Sequence, residues 1–106
     1  MKCHLELMAQ AFAVLEPLPQ AVAFDIFSKL DSLSAFPQMG SPLGARFPRL
    51  SRFRQIIYKG WLRIIYEFDE VDETVYILAI QDCRRKMPTA RELDKAKSRG
   101  DMSIDE

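Results

Sequence analysis

Residues 53–86 read FRQIIYKGWLRIIYEFDEVDETVYILAIQDCRRK. Three apolar, β-branched runs stand out in it: Phe53–Tyr58, Trp61–Phe68 and Val75–Gln81. Lys59-Gly60 joins the first two, a connection short enough to favour an antiparallel hairpin. The second run reaches the third through an acidic turn holding Asp69, Glu70, Asp72 and Glu73. In the middle run Leu62, Ile64, Tyr66 and Phe68 share one face, and Trp61, Arg63, Ile65 and Glu67 share the other. The all-apolar face is expected to lie under helices. The face with Trp61 and Arg63 is expected to stay at least partly open.

Toward the N-terminus, Cys3, Leu5 and Leu7 alternate with Lys2, His4 and Glu6, the pattern of a short strand. Met8, Phe12 and Leu15 then repeat at helical spacing up to Pro17. Pro19 can open a second helix, in which Ala23, Ile26, Phe27, Leu30 and Leu33 form one apolar stripe. The two helices make an αα-hairpin whose Met and Phe side chains are expected to fill the core. Pro37, Gly40, Pro42, Gly44 and Pro48 mark residues 36–50 as an irregular loop. Beyond the third run, Thr89-x-x-Glu92 is a capping box for a last helix with a weak Leu93/Ala96 stripe and a stop at Gly100. The expected fold is α+β: an N-terminal strand, an αα-hairpin packed on a small, mostly antiparallel sheet of about four strands, and a short C-terminal helix. Residues 1–100 are expected to form a single domain and residues 101–106 a frayed acidic tail.

The 106 residues suit one small domain, and 48% hydrophobic with 28% charged residues is a globular composition. No run reaches the ~18 apolar residues of a membrane span. Glu6, Glu16, Pro17 and Pro19 argue against reading residues 7–27 as a signal peptide, and Lys2 alone supplies a leading charge. A cytoplasmic protein with reduced Cys3 and Cys83 is expected. With one histidine, His4, and two cysteines, His and Cys ligands are few, and neither a metal nor a cofactor is expected.

Lys plus Arg and Asp plus Glu each total 15, so the net charge is zero, but the charges are segregated. Arg46, Arg49, Arg52, Arg54, Lys59 and Arg63 occupy a span without a single acid. Arg84, Arg85, Lys86, Arg91, Lys95, Lys97 and Arg99 follow the last strand. Such segregation builds a basic face on a neutral molecule. The acids of 67–73 either form a solvated turn or help orient a nucleic acid by repulsion.

The ordered set of features resembles the RelE/ParE superfamily of toxins. The marks are Arg54 opening a strand, the LRIIYEFDE run with Arg63 and Tyr66, the VYILAI strand, and the arginine-rich exit at Arg84, Arg85 and Lys86. Leu33-Ser34-Ala35-Phe36-Pro37-Gln38-Met39-Gly40 is similar to the family's helix-to-loop junction. Pro88, Glu92, Leu93, Ala96 and Arg99 resemble the tail of the HigB-type branch. The resemblance implies the toxin of a type II toxin–antitoxin pair, partnered by a cognate antitoxin and reaching operator DNA only through that complex. RelE- and HigB-type members cut mRNA on the ribosome without a metal; ParE-type members block DNA gyrase and are not nucleases. A third alternative is a degraded member that only binds its antitoxin.

Under the nuclease reading, Arg63 matches the family's catalytic arginine and would contact the phosphate in the transition state; the alternative is an ion pair with Glu67 or another sheet neighbour. Arg84 or Arg85 shares that site, with the register undecided. Lys59 either assists proton transfer or is a solvated turn residue. Arg46, Arg49, Arg52 and Lys86 are candidates for binding backbone phosphate. Arg54 joins this basic face or pairs structurally. Trp61 stacks on a base or closes the hairpin edge. Cys83 is an inert thiol or one activated by its arginine neighbours, and His4 a surface or edge residue.

Overall fold

The computed structural model describes residues 2–99, the last without its side chain. Strand β1 (His4–Leu7) leads into α1 (Ala9–Leu15) and α2 (Gln20–Ala35); then come β2 (Ser41–Pro42), a single 3-10 turn at Pro48–Leu50, β3 (Phe53–Tyr58), β4 (Leu62–Asp69), β5 (Thr74–Asp82) and α3 (Ala90–Arg99). One five-stranded sheet runs β1-β5-β4-β3-β2. All neighbours are antiparallel except β1, which pairs parallel to β5 with Leu5 opposite Val75. The class is α+β, with one strand more than expected: Ser41 and Pro42, read as loop, pair with Gln55 and Arg54. The Gly100 stop and the acidic tail at 101–106 lie outside the described residues.

The hairpin forms because Lys59 (φ 48°) and Gly60 (φ 79°) both take left-handed backbone angles, as in a type I′ turn. Trp61 N–H closes it on the Tyr58 carbonyl. The β4–β5 turn is held by the Asp69 carboxylate, which accepts from the Val71 and Asp72 amides. Opposite the Ile65–Tyr66 step the register slips by one residue, a bulge in β5.

Side-chain alternation puts Tyr58, Leu62, Ile64, Tyr66, Val75, Ile77 and Ile80 on one face, against Ala11 and Leu15 of α1 and Ile26, Leu30 and Leu33 of α2. Burying each such large aliphatic contributes about 1.5–3 kcal/mol. Two of the helices' expected core fillers, Phe12 and Phe27, stay 48% and 44% exposed. Each helix turns one narrow stripe to the sheet, and these rings lie off it.

The opposite face, expected to stay at least partly open, keeps Trp61 exposed and Arg63 half-buried but is covered over its middle. Phe53, Ile65, Leu78 and Ala79 form a second core with Met8, Leu43, Leu50 and Leu93. The irregular loop and α3 supply its cover. The bulge is what lets Leu78 and Ala79, adjacent in sequence, both enter it. Helix α3 starts with the expected capping box: Thr89 N–H donates to Glu92 Oε1 at 2.8 Å, and Glu92 N–H to Thr89 Oγ1 at 3.1 Å.

Candidate nucleic-acid interface

The second face leaves one opening, where the loop after β2 and the segment before α3 do not meet. The 43–50 loop is anchored by Leu43 and Leu50 in the core and by Leu43 N–H on the Phe53 carbonyl. On the other side, β5 ends in a turn with Arg85 N–H on the Asp82 carbonyl, and Gln81 Nε2 donates to the Lys86 carbonyl. Between these walls lies a cleft of about 900 Å³, with Gln55 and Arg63 among the residues lining it. Among the described residues that line it, Arg46, Arg49, Arg63, Arg85, Lys86 and Arg91 are cationic and none is acidic. A concave, uniformly positive surface concentrates phosphate-bearing ligands.

Arg63 is fixed by the chain end of β5. Its Nη1 donates to the Arg85 carbonyl and its Nη2 to the Cys83 carbonyl, each at 3.4 Å. No ion pair joins it to Glu67, which instead meets Arg52 at 3.4 Å and Lys97 at 3.6 Å. Arg63 therefore keeps its charge uncompensated by a carboxylate among the described residues. Arg63 Nε and Gln55 Oε1 are shielded from solvent and have no hydrogen-bond partner among those residues.

The structure separates the sequence candidates. Arg85 lines the cleft. Arg84 turns away, with Nε and Nη2 on the two Asp82 oxygens at 3.0 and 3.1 Å. That contact raises the Arg84 pKa and holds the Asp82 carboxyl below its usual value. Lys59 sits in the β3–β4 turn and outside the cleft lining, 3.6 Å from Asp25 of α2 and against the Tyr58 ring. Trp61, 41% exposed, meets Tyr58 edge-on at the same hairpin and is not part of the cleft lining. Arg52 bridges to Asp94 at 2.8 Å, which raises its pKa. Arg54 faces the α2 side, where its Nη1 donates to the Gln38 and Gly40 carbonyls at 3.1 and 2.7 Å.

Two cleft residues escaped the site reading. Arg91 belongs to the basic residues that follow the last strand, and the sequence gives it no role of its own. Gln55 carries no charge to draw attention, yet the hairpin pairing of Ile57 with Arg63 puts it on the same face two residues earlier. Counting back from the Lys59-Gly60 turn was the signal that could have found it. Cys3 and Cys83 are both free thiols. Among the described residues no group of three or more His, Cys, Asp or Glu side chains could hold a metal ion. No helix there is long and apolar enough to cross a membrane.

The fold is shared with known toxins. The toxin of the RelBE2 toxin–antitoxin complex from Mycobacterium tuberculosis is similar at a TM-score of 0.65 and 23% identity, over 77% of this chain and 99% of that one. A mutant of E. coli RelE in the free state gives 0.65 at 15% identity, over 93% and 98%. The archaeal RelE–RelB complex from Pyrococcus horikoshii gives 0.53 at 20% identity, over 81% and 100%. No curated protein matches the sequence significantly. The family model of the ParE toxin of type II toxin–antitoxin systems matches residues 8–87, which run from the start of α1 past β5. The chain therefore belongs to the ParE toxin family, within the RelE/ParE superfamily of type II toxin–antitoxin systems.

Proposed function

We propose that this toxin acts on RNA through the cationic cleft and cleaves mRNA on the ribosome, in the cytoplasm. The observation that carries the reading is the concentration of cationic side chains, with no acid among the described residues beside them, around an Arg63 tied only to backbone carbonyls. In cleavage by 2′-hydroxyl attack the 2′-oxygen bonds to phosphorus as the bond to the 5′-oxygen breaks, the hydroxyl proton passes to solvent water, and the charge that builds on the phosphorane oxygens is stabilised by preorganised guanidinium groups. Arg63 and Arg85 take this role. Lys86 is the one lysine among the described cleft residues, and its ammonium can protonate the departing 5′-oxygen. Arg46, Arg49 and Arg91 hold flanking backbone phosphates. Lys59, Arg52, Arg54, Arg84 and Trp61 have no part in the chemistry under this reading.

A second reading, inhibition of DNA gyrase without cleavage, is favoured by the family model, which describes ParE toxins. Mapping new 5′ ends on ribosome-bound mRNA separates the two. Cleavage by the wild-type chain and its loss in Arg63→Ala supports the nuclease. Intact mRNA together with blocked DNA supercoiling supports the gyrase inhibitor.

A cognate antitoxin is the expected partner, as the M. tuberculosis and P. horikoshii relatives are toxin–antitoxin complexes. Phe24 and Phe27, 72% and 44% exposed on α2, give it an apolar docking face.

A further inference from the structure

The segment after β5 is a ridge between two grooves. Arg85, Lys86 and Pro88 line the cationic cleft on one side, and on the other they line a second groove of about 790 Å³. Gln10, near the start of α1, and Lys95 of α3 belong to this second groove and not to the cleft. Helix α3 divides its side chains between the two: Ala90 and Arg91 line the cleft, Glu92, Lys95 and Ala96 the second groove.

The ridge is held from both sides by one cross-strand pair. Arg63 and Gln81 face each other across β4 and β5. Arg63 lines the cleft and donates to the Cys83 and Arg85 carbonyls; Gln81 lines the second groove and donates to the Lys86 carbonyl at 3.0 Å. The course of the ridge is therefore fixed by its backbone, and Arg85 and Lys86 need not spend their charges on it. Neither they nor Lys95 enter an ion pair among the described residues. Glu92, the one acid among the described residues of the groove, spends Oε1 on the Thr89 amide and hydroxyl. Ala79, Leu93 and Ala96 add apolar lining. Cations beside an apolar surface in a concavity of this size suit a nucleotide, with phosphate on the cations and base on the apolar part.

We infer that the second groove takes the continuation of the strand bound in the cleft: the RNA crosses the Arg85–Lys86 ridge and sets its next nucleotide between Gln10 and Lys95. This rests on the RNA reading above and extends the substrate to a strand longer than the cleft alone holds. Lys95 binds a backbone phosphate there and takes no part in the chemistry.

The test is fluorescence anisotropy of the full chain with a labelled dinucleotide and hexanucleotide of 2′-O-methyl uridine, which carry no nucleophilic hydroxyl. The wild type is expected to hold the hexanucleotide about tenfold more tightly and to lose it more steeply with salt, since each further phosphate contact on a single strand adds about 0.7 to the slope. Lys95→Glu should remove most of that gain and leave the dinucleotide unchanged. Gln10→Lys, which adds a cation to the same groove, should tighten the hexanucleotide alone. Lys29→Glu on α2, outside both grooves, controls for overall charge and should change neither. Equal affinity for both lengths, equal loss of both in Lys95→Glu, or a matching loss in Lys29→Glu overturns the second groove and leaves the cleft standing. If the wild type binds neither oligonucleotide, the inference falls together with the RNA reading.

Discussion

The Tyr66 hydroxyl joins both ends of the Pro37–Gly40 turn: it accepts from the Gly40 amide at 2.9 Å and donates to the Pro37 carbonyl at 2.8 Å. Tyr66 is fully buried in the sheet, so the turn is tied to the core of the molecule. Arg54 adds two bonds to the Gln38 and Gly40 carbonyls from β3. The chain leaves this clamp directly into β2 and the loop that carries Arg46 and Arg49 to the cleft. Arg54 and Tyr66, two of the family marks, thus set where one wall of the cleft begins.

Tyr66→Phe strips both partners of their bond while leaving the ring packed. Leaving the Gly40 amide and the Pro37 carbonyl without that bond should cost about 1–3 kcal/mol in urea unfolding. Burial raises the Tyr66 pKa above its usual 10.0. A raised folded-state value means that its contribution is fully present below pH ~10 and is lost as the pH rises through the folded-state value. The wild type should therefore show a steep alkaline limb in stability, and Tyr66→Phe a shallower one; limbs of equal slope would contradict the role given to Tyr66.

Gly40→Ala should destabilise for a different reason. A Cβ there would come within 2.6 Å of the Tyr66 hydroxyl oxygen, 2.7 Å of its Cε1 and 2.8 Å of the Gln55 carbonyl. Overpacking of this kind costs about 1–3 kcal/mol. Because the Cε1 and Gln55 contacts survive in Tyr66→Phe, that second substitution should not rescue the first. Full rescue in thermal melts of the double variant would show that the hydroxyl alone is the obstacle.

The strands were legible because Lys59-Gly60 and the acidic turn bound three strongly alternating runs. The second core was not. Its cover comes from Leu43 and Leu50, embedded in a Pro/Gly-rich loop without periodicity, and from Leu93, nearly alone on a charged helix. The bulge at Leu78–Ala79 breaks the two-residue alternation, so parity fails along β5. Charge along the chain located the arginines but not their faces. Arg54 and Arg63 stand nine residues apart in one basic span, yet one clamps a turn and the other lines the cleft. Which of Arg84 and Arg85 enters depended on Asp82, whose hold on Arg84 is a contact of local backbone geometry.

Helix α3 should be loosened by Glu67→Gln. The Glu67 side chain is 12% exposed and meets Lys97 of α3, and also Arg52, which in turn holds Asp94 of α3. The cations are partly solvated, so the expected loss is about 1 kcal/mol. Amide exchange should quicken in α3 while β4 and β5 stay protected. Unchanged exchange in α3 would mean that Leu93 alone anchors the helix.

Arg85→Ala should reduce growth arrest in a bacterial host by an order of magnitude or more, whereas Arg84→Ala and Lys59→Ala should leave it intact. The basis is position alone: Arg85 lines the cleft, while Arg84 and Lys59 are occupied by Asp82 and Asp25 outside it. Colony counts after induction measure this. Equal loss from Arg84→Ala would move the site out of the cleft.

Whether the cleft acts on RNA is read from pulse labelling in a bacterial host. The chain is induced without antitoxin, and methionine and thymidine incorporation are followed from the first minutes. Methionine incorporation is expected to collapse first, and Arg63→Ala, folded and still bound by antitoxin, to abolish the collapse. Early loss of thymidine incorporation with translation intact would contradict it and make this ParE-family toxin a gyrase inhibitor.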